Sequence, residues 1–427
     1  MSVERQLRRY LKSRAVVSPW SLAGDTRGNV EAAVVIPALA EAAGLSATLT
    51  SVAESDPQLL CRTLVIVVVN NRPDAGEGVR RDNQIVLDWL ASRPLPALRL
   101  AWINAAGAGL ELPAGQGVGL ARKIGFDMAL QRLDWGRNPF LISLDADTLV
   151  DPDYLAAVFR HFASPGTAGA VIPFRHQQGA DRLQEEAIRS YELYLRSYQF
   201  GLAQAGSLYA YHSIGSAFAC RARGYIEAGG MNRRLAGEDF YFLQQLNKVG
   251  GVSVLCGTVV HPAARSSARV PFGTGRIVEQ HQRGVRSGYH FVDCRAFSLL
   301  RDWLTLIEED SEATAETLLR RARQLSMVLA DFIEERRFAQ TWDRLQKNHR
   351  SEQQRIRAFH HWFDALRTRQ LLTRLSATPT DPESLVEELL NWGGYPGYCD
   401  TGTQLALLER VQGVGQKAAR DRINDSL

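Results

Sequence analysis

Apolar residues run together without a break at 32–36 (AAVVI) and at 64–69 (LVIVVV), and both runs are rich in β-branched side chains. Such runs fit strands buried on both faces of a parallel sheet, where neither side of the pleat meets water. Residues 98–103 and 140–144 read as a third and a fourth strand of the same kind, and 213–220 (SIGSAFAC) as a further strand with small side chains. Between the runs, apolar positions recur at helical spacing, most clearly over 118–133. This βαβα order predicts an α/β domain with a doubly wound, mostly parallel sheet. Ligands of such a sheet bind beyond the carboxyl ends of the strands, where the connecting loops gather.

Past about residue 285 strand-like runs stop, and charged segments with helical spacing take over at 313–338 and 351–375. The expected organisation is a helical extension at 1–29, the α/β domain at 30–285 and an all-α domain at 286–427. Within the last, NWGGYPGYCDTGT (391–403) breaks helix and predicts an ordered loop.

Composition narrows the class. The 427 residues are 45% hydrophobic and 22% charged, the balance of a globular protein with a packed core. Fifty basic and 46 acidic residues leave a net charge of +4, too weak a field to argue for nucleic acid as partner. Five cysteines, odd in number and without CxxC spacing, fit reduced thiols. No segment has the apolar core of a signal peptide or the length of a transmembrane span, so the expected location is cytoplasmic.

Chemistry concentrates in two acidic motifs. In LISLDADTLVDPDYL a buried-type strand ends in Asp145 and Asp147, with a helix expected to begin near Asp151 and Pro152. Period-two geometry would turn both carboxylates to one side, as hard oxygen ligands for Mg²⁺ or Mn²⁺ bridging a nucleotide diphosphate. Acidic residues also frequent loops and N-caps for structural reasons alone. In GGMNRRLAGEDFYFLQQLNKVGG, Glu238 and Asp239 fall in the first turn of an amphipathic helix. They either compensate the helix dipole or include a general base for an acceptor hydroxyl.

The segments EAAVVIPALAEAAGLSATLTSV, GVGLARKIGFDMAL, SLDADTLVDPDYL and GEDFYFLQQL stand in the order found in family 2 glycosyltransferases, and the chain resembles those enzymes over about residues 30–285. The resemblance implies a GT-A fold, a nucleotide-sugar donor, a divalent metal (Mn²⁺ or Mg²⁺) and inversion at the anomeric carbon. It implies a nucleotide pocket at Pro37, Ala38 and Glu41, with Asn70 and Asn71 at the next strand end. It further implies Arg122 near the donor diphosphate, Asp145 and Asp147 holding ribose and metal, and Asp239 as acceptor base beside Glu238. His261, at the end of a strand-like VVHP, would be the third metal ligand. Beyond it RSSARVPFGTGR carries Arg265, Arg269 and Arg276 among glycines and serines, which either clamp phosphates or stand solvated on a plain loop. The acceptor would be a carbohydrate, a lipid-linked molecule or a small molecule, and the C-terminal helices would serve oligomer or membrane-surface contacts.

Two departures matter. Asn70-Asn71-Arg72-Pro73 replaces the family's usual aspartates after the second strand, and no QxxRW-like motif follows the Glu-Asp pair, which favours a single sugar transfer over processive synthesis. Two other readings compete. A sugar-phosphate nucleotidyltransferase would need a glycine-rich phosphate loop where Pro37 to Glu41 stand. A non-catalytic sugar-binding or scaffold protein on a degenerate domain would not need both acidic motifs.

Overall fold

The computed structural model describes residues 2–16, 18–265, 290–376 and 381–414. Arg269 and Arg276 therefore lie outside the described residues. The chain divides into two compact units: Met1–Ile188 with Ser213–Val285 and Glu409–Leu427, and Arg189–His212 with Arg286–Leu408.

The strands of the first unit are β1 (Leu22–Gly24), β2 (Ala32–Ala38), β3 (Thr63–Asn70), β4 (Arg99–Ala105), β5 (Phe140–Ser143), β6 (Leu149–Val150), β7 (Gly169–Val171), β8 (Phe218–Arg221), β9 (Val252–Val254) and β10 (Val260–His261). Eight of them form one sheet in the order β1-β4-β3-β2-β5-β8-β7-β9, and β10 pairs with β6 in a separate ribbon. The centre is parallel: β2 runs in register with β3 from Ala32↔Thr63 to Ala38↔Val69 and with β5 from Ala32↔Phe140 to Val35↔Ser143. All eight residues of β3 are buried, as its unbroken apolar run requires. β8 runs antiparallel between β5 and β7, so the sheet is mostly but not wholly parallel. The expected α/β class is the observed one. The strand expected over 213–220 starts only at Phe218, and its first residues form a loop beside the site.

Helices α1 (Val3–Ser13), α2 (Leu45–Ala53), α3 (Pro57–Leu60), α4 (Glu77–Ala91), α5 (Val118–Ala129), α6 (Tyr154–Ala163), α8 (Ala222–Glu227) and α9 (Glu238–Gly250) connect and flank these strands, while α7 (Arg182–Gln204) belongs for the most part to the second unit. Every residue of α5 from Gly119 to Ala129 is buried. The helix lies so close to the sheet at Gly125 that a Cβ there would collide with Val35 and press on Val68 at 3.1 Å. One face of α5 also anchors α1. The Asp127 carboxylate accepts from the Tyr10 hydroxyl (2.7 Å), the Tyr225 hydroxyl (2.8 Å) and the Val16 amide (2.8 Å). Lys123 lies 3.0 Å from the same carboxylate and donates to the Tyr10 oxygen at 2.8 Å. A buried charge is tolerated when its lone pairs are filled in this way.

The second unit is helical and closes around Trp303, Phe338, Trp342, Phe359 and Phe363, each at most 1% exposed. The segment with helical spacing at 313–338 holds the helices Ala315–Leu325 and Met327–Glu335 and ends at the first residue of Phe338–Asn348. Ser326 takes extended backbone, and its hydroxyl caps the next helix by accepting from the Leu329 amide (3.3 Å). Arg337 adopts φ +57° at the second break. Both breaks leave the apolar face pointing inward, so the spacing of hydrophobic residues does not betray them. Asp364 likewise divides the segment with helical spacing at 351–375 into Glu352–Trp362 and Ala365–Leu375. Among the described residues no helix is long and apolar enough to cross a membrane.

Candidate active site

Two acidic motifs far apart in the chain meet at one guanidinium. Arg122, in the second turn of α5, is 2% exposed. Its Nε donates to Ser143 Oγ at 2.9 Å, one terminal nitrogen donates to Asp145, and the other to Glu238. Gly215 makes room for this, because a side chain there would run into the guanidinium. The local sequence explains the placement. β5 stops at Ser143, and a turn in which the Thr148 amide bonds the Asp145 carbonyl (3.2 Å) presents the acids. The pair is thus displayed by a turn and not by strand alternation, which is why its members find different partners. The helix expected at Asp151 begins at Tyr154 instead, after β6. On the other side Gly237, at φ +69°, turns the chain into α9, and Asn232 Nδ2 holds the Glu238 carbonyl at 2.7 Å.

Glu238 and Asp239 are neighbours with different surroundings. The Glu238 side chain is 4% exposed and ion-paired; burial pushes its carboxyl well above the usual range, against the pull of Arg122. Asp239 is half-buried, and its Oδ1 accepts from the Phe240 amide at 2.7 Å. Desolvation raises its carboxyl to about 6, Arg122 working the other way and Asp145 adding to the rise.

Asp147 faces a second arginine. Arg265 Nε donates to Asp147 Oδ2 at 2.9 Å, and its Nη2 lies 2.7 Å from the same oxygen while also reaching Glu41. Burial first, then the negative charge of Asp145, pushes the Asp147 carboxyl up, and Arg265 pulls it down. The Asp147 carbonyl is fixed by Gln177 Nε2 at 2.9 Å, which also holds the His261 carbonyl at 2.8 Å.

The His261 ring is engaged elsewhere. It sits on β10 opposite Leu149, with Nε2 3.0 Å from Asp151 Oδ1 and Nδ1 3.0 Å from the Arg175 carbonyl oxygen. Among the described residues no three His, Cys, Asp or Glu side chains group so as to hold a metal ion. What remains is a pair of hard carboxylates. That donor set suits Mg²⁺ or Mn²⁺ arriving with phosphates, since such ions are held by one or two carboxylates plus substrate oxygens and not by all-protein cages.

Pro37 and Ala38 close β2, and Glu41 follows at 8% exposure. Asn70 and Asn71 do not open outward; they are 4% and 2% exposed. Asn70 Nδ2 donates to the Ala38 and Val68 carbonyls (3.1 and 3.0 Å), and Asn83 of α4 donates to the Asn70 carbonyl (3.1 Å) and Asn71 Oδ1 (2.8 Å). Asn83 Oδ1 in turn accepts from the Ala40 amide at 3.0 Å, where Ala40 holds φ +54°, an uncommon conformation for a residue with a Cβ. These amides brace the loops after β2 and β3. Arg122, expected near a diphosphate, is likewise turned to protein partners.

Sequence reasoning missed Asn83, Gln177 and Ser143. Only Ser143 left a trace, as the one hydroxyl within the apolar run FLISL.

Residues 140–325 match the family described as "Glycosyl transferase family group 2". None of the curated proteins matches this chain. Among solved structures, residues 1–349 of S. aureus TarS in complex with UDP-GlcNAc align over 90% of each chain at 13% identity and TM-score 0.36. The mannosyltransferase PcManGT from Pyrobaculum calidifontis, in complex with GDP-Man and Mn²⁺, aligns over 97% of this chain and 94% of its own at 16% identity and TM-score 0.37. GalNAc-T7 with UDP, GalNAc and Mn²⁺ aligns over 59% of this chain and 48% of its own at 15% identity and TM-score 0.33.

Proposed function

We propose, from the match of residues 140–325 to glycosyl transferase family group 2, that the chain is a glycosyltransferase that moves one sugar from a nucleoside-diphosphate sugar to an acceptor hydroxyl, with inversion and without processive extension. The observation that carries the reading is the convergence of Asp145 and Glu238 on Arg122, which brings the half-buried Asp239 beside the Asp145 turn.

Asp239 takes the proton of the acceptor hydroxyl as that oxygen forms its bond to the anomeric carbon. In the same step the bond from that carbon to the diphosphate oxygen breaks, and the nucleoside diphosphate leaves; a single displacement inverts the centre. A divalent cation held by Asp145 and Asp147 would supply neutralisation of charge on the departing diphosphate. Glu238 and Arg122 are positioning residues: their ion pair fixes the start of α9, and hence Asp239, against the turn after β5. The loop after β2 braced by Asn83 carries Glu41 and follows Pro37 and Ala38 at the strand's end, the residues we assign to the nucleotide.

The test is a panel of UDP- and GDP-sugars with Mn²⁺, read by release of nucleotide and by thermal protection. A ligand at 100 times its dissociation constant adds about 2.7 kcal/mol to stability. If none protects the protein and none is turned over, the assignment of this site to sugar transfer fails.

A further inference from the structure

Besides Arg122, a second cation stands among these acids, Arg265. Its guanidinium joins Glu41, in the loop after β2, to Asp147, in the turn after β5, with side chains 36%, 9% and 26% exposed respectively. Nε and Nη2 both lie within 3 Å of Asp147 Oδ2, at 2.9 and 2.7 Å. A divalent ion cannot use that oxygen while two guanidinium nitrogens occupy it, because like charges at such separations repel strongly. His261, turned to Asp151, does not offer a replacement ligand.

We propose that Arg265 determines what the site accepts: it excludes free divalent cations and yields Asp147 only when a diphosphate arrives to take the guanidinium. This rests on the reading of Asp147 as a carboxylate that meets the donor's cation. A lone divalent ion would have to push the guanidinium away from two carboxylates and leave it without an anion. A cation bound to a diphosphate offers the guanidinium phosphate oxygens, which match its planar fork as well as carboxylates do. Arg265 then exchanges one set of ion pairs for another, and the metal enters as part of the donor. Metal binding and nucleotide binding become a single coupled event, and reciprocity requires each to strengthen the other.

The experiment titrates Mn²⁺ into the full chain and reads free Mn²⁺ by electron paramagnetic resonance, alone and then with UDP or GDP. Wild type binds Mn²⁺ weakly without nucleotide. Arg265→Ala binds Mn²⁺ alone about tenfold more tightly or better, the size expected when a nearby positive charge is removed. Arg265→Lys stays close to wild type, and Asp147→Asn in the Arg265→Ala background abolishes the gain. A gain of affinity does not arise from misfolding, which keeps the result interpretable. If Arg265→Ala binds Mn²⁺ alone no better than wild type, while both bind it tightly with nucleotide, the exchange is overturned and the sugar-transfer reading stands. If neither protein binds Mn²⁺ with or without UDP or GDP, the metal assignment falls and the exchange falls with it.

Discussion

Asp145 and Glu238 share one arginine: separate nitrogens of the buried Arg122 guanidinium reach the two carboxylates. The two acidic motifs, remote in sequence, are therefore parts of one constellation. Each half of the ion network depends on the other for charge balance.

Removing the shared cation alone should be severe. Arg122→Met leaves Glu238 buried without a partner and should cost about 3–5 kcal/mol, the usual penalty for breaking a buried pair from one side. Adding Glu238→Gln to the same chain should recover most of that loss. Urea unfolding of the single and double variants measures both quantities; equal midpoints for the two would show that the ion pair is not what binds α5 to α9.

Asp239→Asn should lower turnover by about 10²–10⁴-fold while leaving nucleotide-sugar affinity near the parental value, since base catalysis contributes that much. Single-turnover rates and donor titrations separate the two. A variant that turns over at the parental rate removes Asp239 from the role of base.

The same residue sets a pH limb. With its carboxyl held at about 6, Asp239 is protonated below that value and cannot accept a proton. The pH profile of kcat/KM should therefore rise through about 6 and flatten above it, and the limb should be missing from the residual activity of Asp239→Asn. Stability should move in the opposite direction. The folded state binds this proton more tightly than the unfolded chain, so the associated stability is full below about 3.8 and is lost as pH rises through about 6. At pH 8 Asp239→Asn should be the more stable protein, by about 1 kcal/mol once solvent screening of a half-buried carboxylate is allowed for. Melting temperatures at pH 4.5 and 8 test this: a difference that does not grow with pH counts against the raised carboxyl.

Asn83→Ala should loosen two loops at once, because one amide holds the Ala40 amide, the Asn70 carbonyl and the Asn71 side chain. Leaving those groups unpaired should cost about 1–3 kcal/mol. It should also raise the KM for the donor with little change in kcat. A change confined to kcat would mean that the braced loops do not meet the nucleotide.

The parallel centre of the sheet was legible because β2 and β3 are buried on both faces, and burial on both faces writes an unbroken apolar run into the sequence. The acidic motifs were legible because Asp145, Asp147, Glu238 and Asp239 follow a strand end or open a helix, positions that local pattern can locate. Arg265 was visible only as a basic residue of a loop. Its bond to Asp147 spans 118 positions, and no periodicity records a partner at that distance. Asn70 and Asn71 misled for a related reason: an asparagine at a strand end looks the same whether its amide turns outward or braces a neighbouring carbonyl. In the helical unit, Ser326 and Asp364 interrupt long patterns without disturbing the spacing of the apolar face, so each segment of helical spacing holds more than one helix.

Helix α5 carries Arg122 toward Asp145 and Glu238 and, one residue later, Lys123 toward the Tyr10 and Asp127 anchor of α1. Residues 3–13 are therefore tied to the same helix that holds the arginine shared by the two acidic motifs. A purification tag or fusion partner that drags on residues 3–13 would pull on the turn of helix that holds Arg122.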